Sequence, residues 1–210
     1  MLRLISATPS PYARKVRIAL IEKNIPFELI TEVPWNQGAI TEQHNPLAKL
    51  PVLILEDGSS IFDSRFILDY LEWVYPQIPL LPKDIPDRLF AKKLEVLADG
   101  VCDAVVLIFF ERMRGATASA EWTARQIHKI EAGVSELARL IDWRRFAVAD
   151  KFGLGDIAAG SVLGYLKVRF QEFDWQTLYP SLAEYSANLE QRPSFQQTIP
   201  YPQTIIDKVV

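Results

Sequence analysis

Cysteine is nearly absent: Cys102 is the only one in 210 residues. One thiol excludes an intramolecular disulfide, a cysteine-built zinc site and a Cys-x-x-Cys redox centre. Histidine is almost as scarce, with only His44 and His128. That leaves little material for a histidine metal site or a Ser–His nucleophile pair, so no metal is expected. No apolar run approaches the ~18 residues of a membrane span, and the strand-like opening Met1-Leu-Arg-Leu-Ile-Ser6 is too short for a signal peptide. Excess positive charge is missing too. Lys and Arg number 23 against 26 Asp and Glu, a net charge of −3, which argues against a nucleic-acid surface. The expected compartment is therefore a reducing cytoplasm, with neither membrane nor nucleic acid as a partner.

What the chain does have is apolar substance. Hydrophobic residues make up 49%, enough to core one large domain or two small ones. No repeat or low-complexity tract interrupts it. Residues 2–6 alternate and predict a strand. Residues 11–23 carry Val16, Leu20 and Ile21 at helical spacing, and Asn24 and Pro26 stop that helix. Residues 27–32 predict a second strand, parallel to the first if the helix crosses over between them. A polar segment, 36–44, predicts at most a short helix. Residues 51–55 and 60–62 predict an antiparallel pair around the Asp57-Gly58 turn. A helix over 64–75 then carries Ile67, Leu68, Leu71 and Val74 on one face. The order is βαβ followed by ββα, an α/β domain over 1–76.

Prolines 76, 79, 82 and 86 mark 77–86 as a linker. Beyond it the patterning is helical throughout, with helices expected over 87–114, 120–141, 154–171 and 180–191. The second domain, 87–210, is predicted all-α.

Three short stretches carry possible chemistry. Ser10-Pro11-Tyr12 opens the first helix, with serine a favoured cap and proline pre-shaped for the first turn. The unpaired N–H groups of that turn favour an anion, and a hydroxyl there can donate to a thiolate. Asp63-Ser64 opens the third helix in a similar way, with Ser64 as the expected cap. Between them lies Asn45-Pro-Leu-Ala48-Lys49-Leu50-Pro51-Val52, where the residues alone predict a trans proline starting a strand. In the helical half, Asp156 of Gly153-Leu-Gly-Asp156 is expected to complete a capping arrangement that lacks its hydroxyl partner. Cys102, among Val101, Val105 and Val106, reads as a small buried hydrophobe. Trp122, Trp143 and Trp175 read as core residues. Arg14 and Arg17 read as a solvated face or as partners for acids at a subunit interface.

The three stretches, in this order on a βαβ-ββα unit followed by helices, resemble the glutathione S-transferase superfamily. Ser10-Pro11-Tyr12-Ala-Arg-Lys-Val is similar to the active-site segment of its serine-type classes, and the stretch around Leu50-Pro51 is similar to its cis-proline loop. Ala48 stands where the family usually has glycine. The resemblance implies a thioredoxin-like sheet domain and a helical domain. It implies glutathione as cosubstrate, an apolar electrophile as second substrate, and a homodimer. It implies that Ser10 stabilises the glutathione thiolate, that the backbone of Leu50, before cis Pro51, pairs with the cysteinyl unit, and that Lys49 faces the glycyl carboxylate. Asp63 and Ser64 would hold the γ-glutamyl end. Tyr12, Phe109, Phe110 and Tyr165 are the candidates for lining the electrophile pocket. Two rival readings are a non-catalytic interaction module of the same fold, similar to stringent starvation protein, and a glutathione-dependent reductase or lyase. The absence of cysteine at position 10 speaks against the reductase.

Overall fold

In β1 (Leu2–Ser6) Leu2 and Leu4 point to one face and Ile5 to the other, and all three are buried while Arg3 is exposed. In this computed structural model, which describes residues 1–207 and 209, the strand lies inside a four-stranded sheet of order β2-β1-β3-β4. The helix α1 (Pro11–Glu22) crosses over to β2 (Phe27–Thr31), so β1 and β2 run parallel, with Leu2 opposite Phe27 and Ser6 opposite Thr31. A short α2 (Thr41–His44) precedes the hairpin of β3 (Val52–Ile54) and β4 (Ser60–Ile61), and α3 (Ser64–Val74) follows. The hairpin joins the sheet antiparallel, giving the expected mixed sheet.

Register decides where the loops fall. Ile5, near the end of β1, faces Val52, the first residue of β3. Leu53 faces Ile61, the last residue of β4. The end of β1, the start of β3 and the end of β4 therefore share one edge of the sheet. The loop after β2 leaves from that edge as well. Val16, Ile18 and Leu20 of α1 and Ile67, Leu68 and Leu71 of α3 are fully or nearly fully buried with the strand residues. Each such side chain contributes about 1.5–3 kcal/mol.

The chain divides into two compact units. Among the described residues, the first holds Met1–Leu80 together with 193–207, and the second holds Leu81–Arg192. The expected boundary at 87–210 thus differs at its far end: α9 (Pro193–Gln196) and the tail group with the sheet. The second unit is helical. It contains α4 (Ile85–Met113), α5 (Ala120–Ile141), α6 (Leu154–Arg169), a short α7 (Trp175–Leu178) and α8 (Pro180–Glu190). The long helix starts earlier than expected. Asp84 caps it by accepting from Asp87 N at 3.3 Å, so Pro86 opens the helix rather than ending the linker. Residues 154–166 of α6 are buried without interruption, which places that helix at the centre of its unit. Gly133 lets α5 approach α4, since a Cβ there would lie 2.3 Å from Val101 Cγ2.

Cys102 is buried, as expected. Of the three tryptophans expected in the core, only Trp175 is there; Trp122 and Trp143 are exposed at 42% and 67%. Trp122 lies in the first turn of α5 and Trp143 just past its end, where the apolar stripe no longer faces the core. No helix among the described residues is long and apolar enough to cross a membrane.

Candidate functional site

Ser10 leaves the sheet through a tight turn in which its N–H donates to Ala7 O at 3.1 Å. Its φ of −65° and ψ of 116° place it as the cap of α1, and its Oγ accepts from Ala13 N at 3.2 Å. That bond uses a lone pair and leaves the O–H proton available. The side chain is half-buried, at the positive end of the α1 dipole.

The cations behind this turn are buried. Arg14, Lys15 and Arg17 are 0%, 2% and 6% exposed, which corrects the solvated-face reading of Arg14 and Arg17. Arg14 lies over the Phe195 ring at 5.1 Å and donates to Phe195 O and Thr198 Oγ1, each at 3.4 Å. Arg17 donates to Thr8 O at 3.4 Å, and its Nε has no partner among the described residues. Burial, then the neighbouring Arg14 charge, lower its pKa to about 10, with Tyr201 acting in the opposite direction. It therefore stays charged at neutral pH.

The loop from Asn45 to Pro51 is held from within. Asn45 is buried, donates from Nδ2 to Lys49 O at 2.8 Å and accepts at Oδ1 from Leu47 N at 3.0 Å. Ala48 has φ +52°, the left-handed region that glycine enters freely. The glycine usual at this position is thus explained by backbone shape, and alanine keeps that shape here. The Leu50–Pro51 bond is cis, and Pro51 is buried against β3 while Leu50 is half-buried and packs on Ile5, Val52 and Ile54. Lys49 is exposed.

At the third position the cap is Asp63, not Ser64. Asp63 is exposed and its Oδ1 accepts from Arg65 N at 2.9 Å. Ser64 is the first helical residue and is 2% exposed, so its hydroxyl is not engaged by the cap. The reason for the shift is local, because a carboxylate one residue earlier reaches the same amide.

Ser10, Leu50–Pro51 and Asp63–Ser64 thus stand on one edge of one sheet. Sequence reasoning missed the fourth element at that edge, the loop after β2. There a cavity of about 510 Å³ is lined by Pro34, Trp35, Asn36, Gln37, Glu42 and Asp207 among others. It also missed His44, whose Nδ1 lies 2.8 Å from Ser60 Oγ. Neither has a local signal stronger than that of an ordinary loop.

The remaining candidates fall in different settings. Tyr12 is half-buried in the first turn of α1. Phe109 and Phe110, in the helical unit, are half-buried and meet edge to face at 5.1 Å, with the Arg169 guanidinium 4.1 Å from the Phe109 ring centre. Tyr165 is 5% exposed, and burial pushes its phenol pKa well up. It is packed within its own unit.

Comparison with known proteins agrees with this geometry. Residues 9–73 match the family model described as glutathione S-transferase, N-terminal domain, and residues 120–188 match the C-terminal domain model. An uncharacterised GST-like protein, YibF, of Escherichia coli is 36% identical over 95% of this chain and 98% of its own. A probable glutathione S-transferase of Nicotiana tabacum is 30% identical over 81% of this chain and 73% of its own. A crystal structure of a glutathione S-transferase from Methylobacterium radiotolerans, in complex with glutathione sulfonate, superposes with a TM-score of 0.98. It is 59% identical and covers 100% of this chain and 99% of its own. A second, from Methylobacillus flagellatus with glutathione bound, has a TM-score of 0.91 at 38% identity, over 95% of this chain and 100% of its own. The chain belongs to the glutathione S-transferase family.

Proposed function

We propose that this protein binds glutathione along the shared sheet edge and activates its thiol for attack on an electrophilic small molecule. The observation that carries the reading is the state of Ser10. Its oxygen is engaged by Ala13 N while its proton remains free, at a helix start backed by buried Arg14 and Arg17. A free thiol has a pKa near ~8.5, and a donated hydrogen bond with a helix N-terminus lowers it. The thiol proton passes to solvent, the thiolate sulfur forms a bond to the electrophilic carbon, and the leaving group departs with its electron pair. The protein contributes orientation and stabilised charge rather than a nucleophile of its own.

Within this reading the polar groups of the sheet edge divide the tripeptide. Leu50's backbone faces the cysteinyl unit, and Lys49 serves the glycyl carboxylate. The buried Ser64 hydroxyl and the amides of the first turn of α3 serve the γ-glutamyl carboxylate. Asp63, with one oxygen in its cap, has the other for the γ-glutamyl ammonium. Tyr12, in the first turn of α1, is the candidate at this edge for contact with an apolar electrophile. Glutathione bound in one related crystal structure and glutathione sulfonate in the other support the ligand; the electrophile rests on side-chain chemistry alone. The single buried cysteine suits a reducing cytoplasm.

The test is calorimetry with glutathione. The wild type is expected to bind, and Ser64→Ala to bind roughly tenfold to a hundredfold more weakly, as for the loss of a hydrogen bond to a charged group. No heat from the wild type at millimolar glutathione overturns the enzyme reading and favours an interaction module.

A homodimer is part of the same proposal. Phe66 and Trp73 of α3 are 55% and 78% exposed, and Leu89 and Val96 of α4 are 65% and 57% exposed. Both pairs are two turns apart on one helical face, so each helix shows an apolar stripe with no partner of its own. Light scattering on the purified chain is expected to give twice the monomer mass, and a monomer at micromolar concentration overturns this part.

A further inference from the structure

We propose that the C-terminal segment is a positioning strap for the turn that presents Ser10, and that Gln203 is its controlling residue. The inference rests on the reading of Ser10 above and concerns residues outside all three motifs. It starts from Thr8, whose every polar group is engaged. Thr8 N donates to Gln203 Oε1 at 3.0 Å, Thr8 Oγ1 donates to Tyr201 O at 3.1 Å, and Thr8 O accepts from Arg17 Nη2 at 3.4 Å. Thr8 and Pro9 are the central residues of the turn that the Ser10 N–H closes onto Ala7 O. Proline has no N–H. The Thr8 amide is therefore the one backbone N–H at the centre of that turn, and an amide side chain 195 positions away in sequence accepts from it.

The strap is fixed on both sides of this contact. Upstream, Arg14 holds Phe195 and Thr198 through the contacts already described. Downstream, Ile206 N donates to Asn36 Oδ1 at 2.9 Å, and Gln37 N donates to Asp207 Oδ2 at 2.5 Å. One segment thus ties α1, the turn before it and the loop after β2, which is the same sheet edge that carries the site. A segment that merely covered apolar surface would not need four side-chain-to-backbone bonds at two loops. Tyr201 and Ile206 are themselves 58% and 80% exposed, so burial is not what fixes their stretch of chain. The Ser10 hydroxyl must meet a thiolate within hydrogen-bond distance, and small displacements of such a donor are costly.

The experiment compares wild type, Gln203→Ala and Gln203→Glu, each as the full chain. Glutamate keeps an acceptor where the Thr8 amide points. The probe is glutathione with a generic aryl halide, and the readouts are the pH profile of kcat, the KM for glutathione and the ultraviolet absorbance of the bound thiolate. Gln203→Ala is expected to raise the apparent pKa of the bound thiol and to lower kcat below that pKa by about threefold to tenfold. KM for glutathione should stay within about twofold, and Gln203→Glu should behave as wild type. An unchanged pH profile in Gln203→Ala overturns the proposal, as does an equal shift in both variants. A wild type that shows neither thiolate absorbance nor turnover fails at an earlier step: it overturns the glutathione reading itself and the strap's role with it.

Discussion

Asp156→Ala is expected to lower the stability of the protein by about 3–5 kcal/mol, a large part of the ~5–15 kcal/mol a domain possesses. Asp156 is 1% exposed. Its Oδ1 accepts from Ala147 N at 2.8 Å and from Tyr185 Oη at 2.6 Å, and its Oδ2 accepts from Gly153 N at 2.9 Å. One carboxylate thereby joins the segment before α6, the start of α6 and the middle of α8. Burial raises its pKa, and the bond from Tyr185 and those from the two amides oppose that rise. Burial, then the adjacent carboxylate, also push the Tyr185 phenol well up, so it donates as a neutral hydroxyl. Truncation to alanine strands three donors in the interior. Each costs about 1–3 kcal/mol, with partial relief where water enters. Asp156→Asn is the finer probe. Its carbonyl can replace Oδ1, but its NH2 then confronts the Gly153 N–H, so it should fall between wild type and alanine. Urea unfolding of the full chain measures both. Tyr185→Phe combined with Asp156→Ala should recover part of the loss, because it removes one stranded donor. A loss below about 1 kcal/mol in Asp156→Ala would show that the three bonds are not the hub described.

The same residue shows what the sequence makes legible. Gly153-Leu-Gly-Asp156 announces a helix start, and the half of the capping box that glycine permits is present, from Asp156 to the Gly153 amide. Tyr185, 29 residues further on, carries no mark of its role, since its partner is fixed only by the packing of α8. Wherever period and punctuation act locally the reading holds: the strands, the crossover α1, the hairpin at Asp57-Gly58, and α5 from Ala120 to Ile141. It fails wherever a distant segment supplies the environment. Arg14 and Arg17 look like a solvated face because charge on a short helix usually is one, but the C-terminal tail contributes to covering Arg14. Trp122 and Trp143 look like core because tryptophan usually is. The cap at Asp63 rather than Ser64 is a one-residue error of the kind that only backbone angles resolve. The sheet edge itself was legible in outline, since any βαβ-ββα order with this register gathers the ends of β1 and β4 and the start of β3.

Ser10→Ala is expected to have the larger effect on chemistry. If the hydroxyl donates to the thiolate, its removal raises the pKa of bound glutathione, and the direction of the rate change follows. Below the thiol pKa the thiolate fraction is proportional to 10 raised to the power (pH − pKa), so each unit of increase lowers the rate tenfold. Loss of one donor to a developing or full anion typically costs about a hundredfold in kcat, so roughly tenfold to a hundredfold is expected near pH ~6.5. Above both pKa values the thiol is ionised without help, and the rates of variant and wild type should converge. A purely structural defect has a different signature. Alanine also removes the acceptor for Ala13 N, which costs about 1 kcal/mol of helix stability and would depress the rate equally at every pH. Ser10→Gly separates the two effects, because glycine at a cap costs only a few tenths of a kcal/mol while the hydroxyl is still lost. The pH–rate profiles of both variants should therefore shift alike although their stabilities differ. A profile in Ser10→Gly that superposes on wild type would remove Ser10 from the chemistry and leave it as the cap of α1.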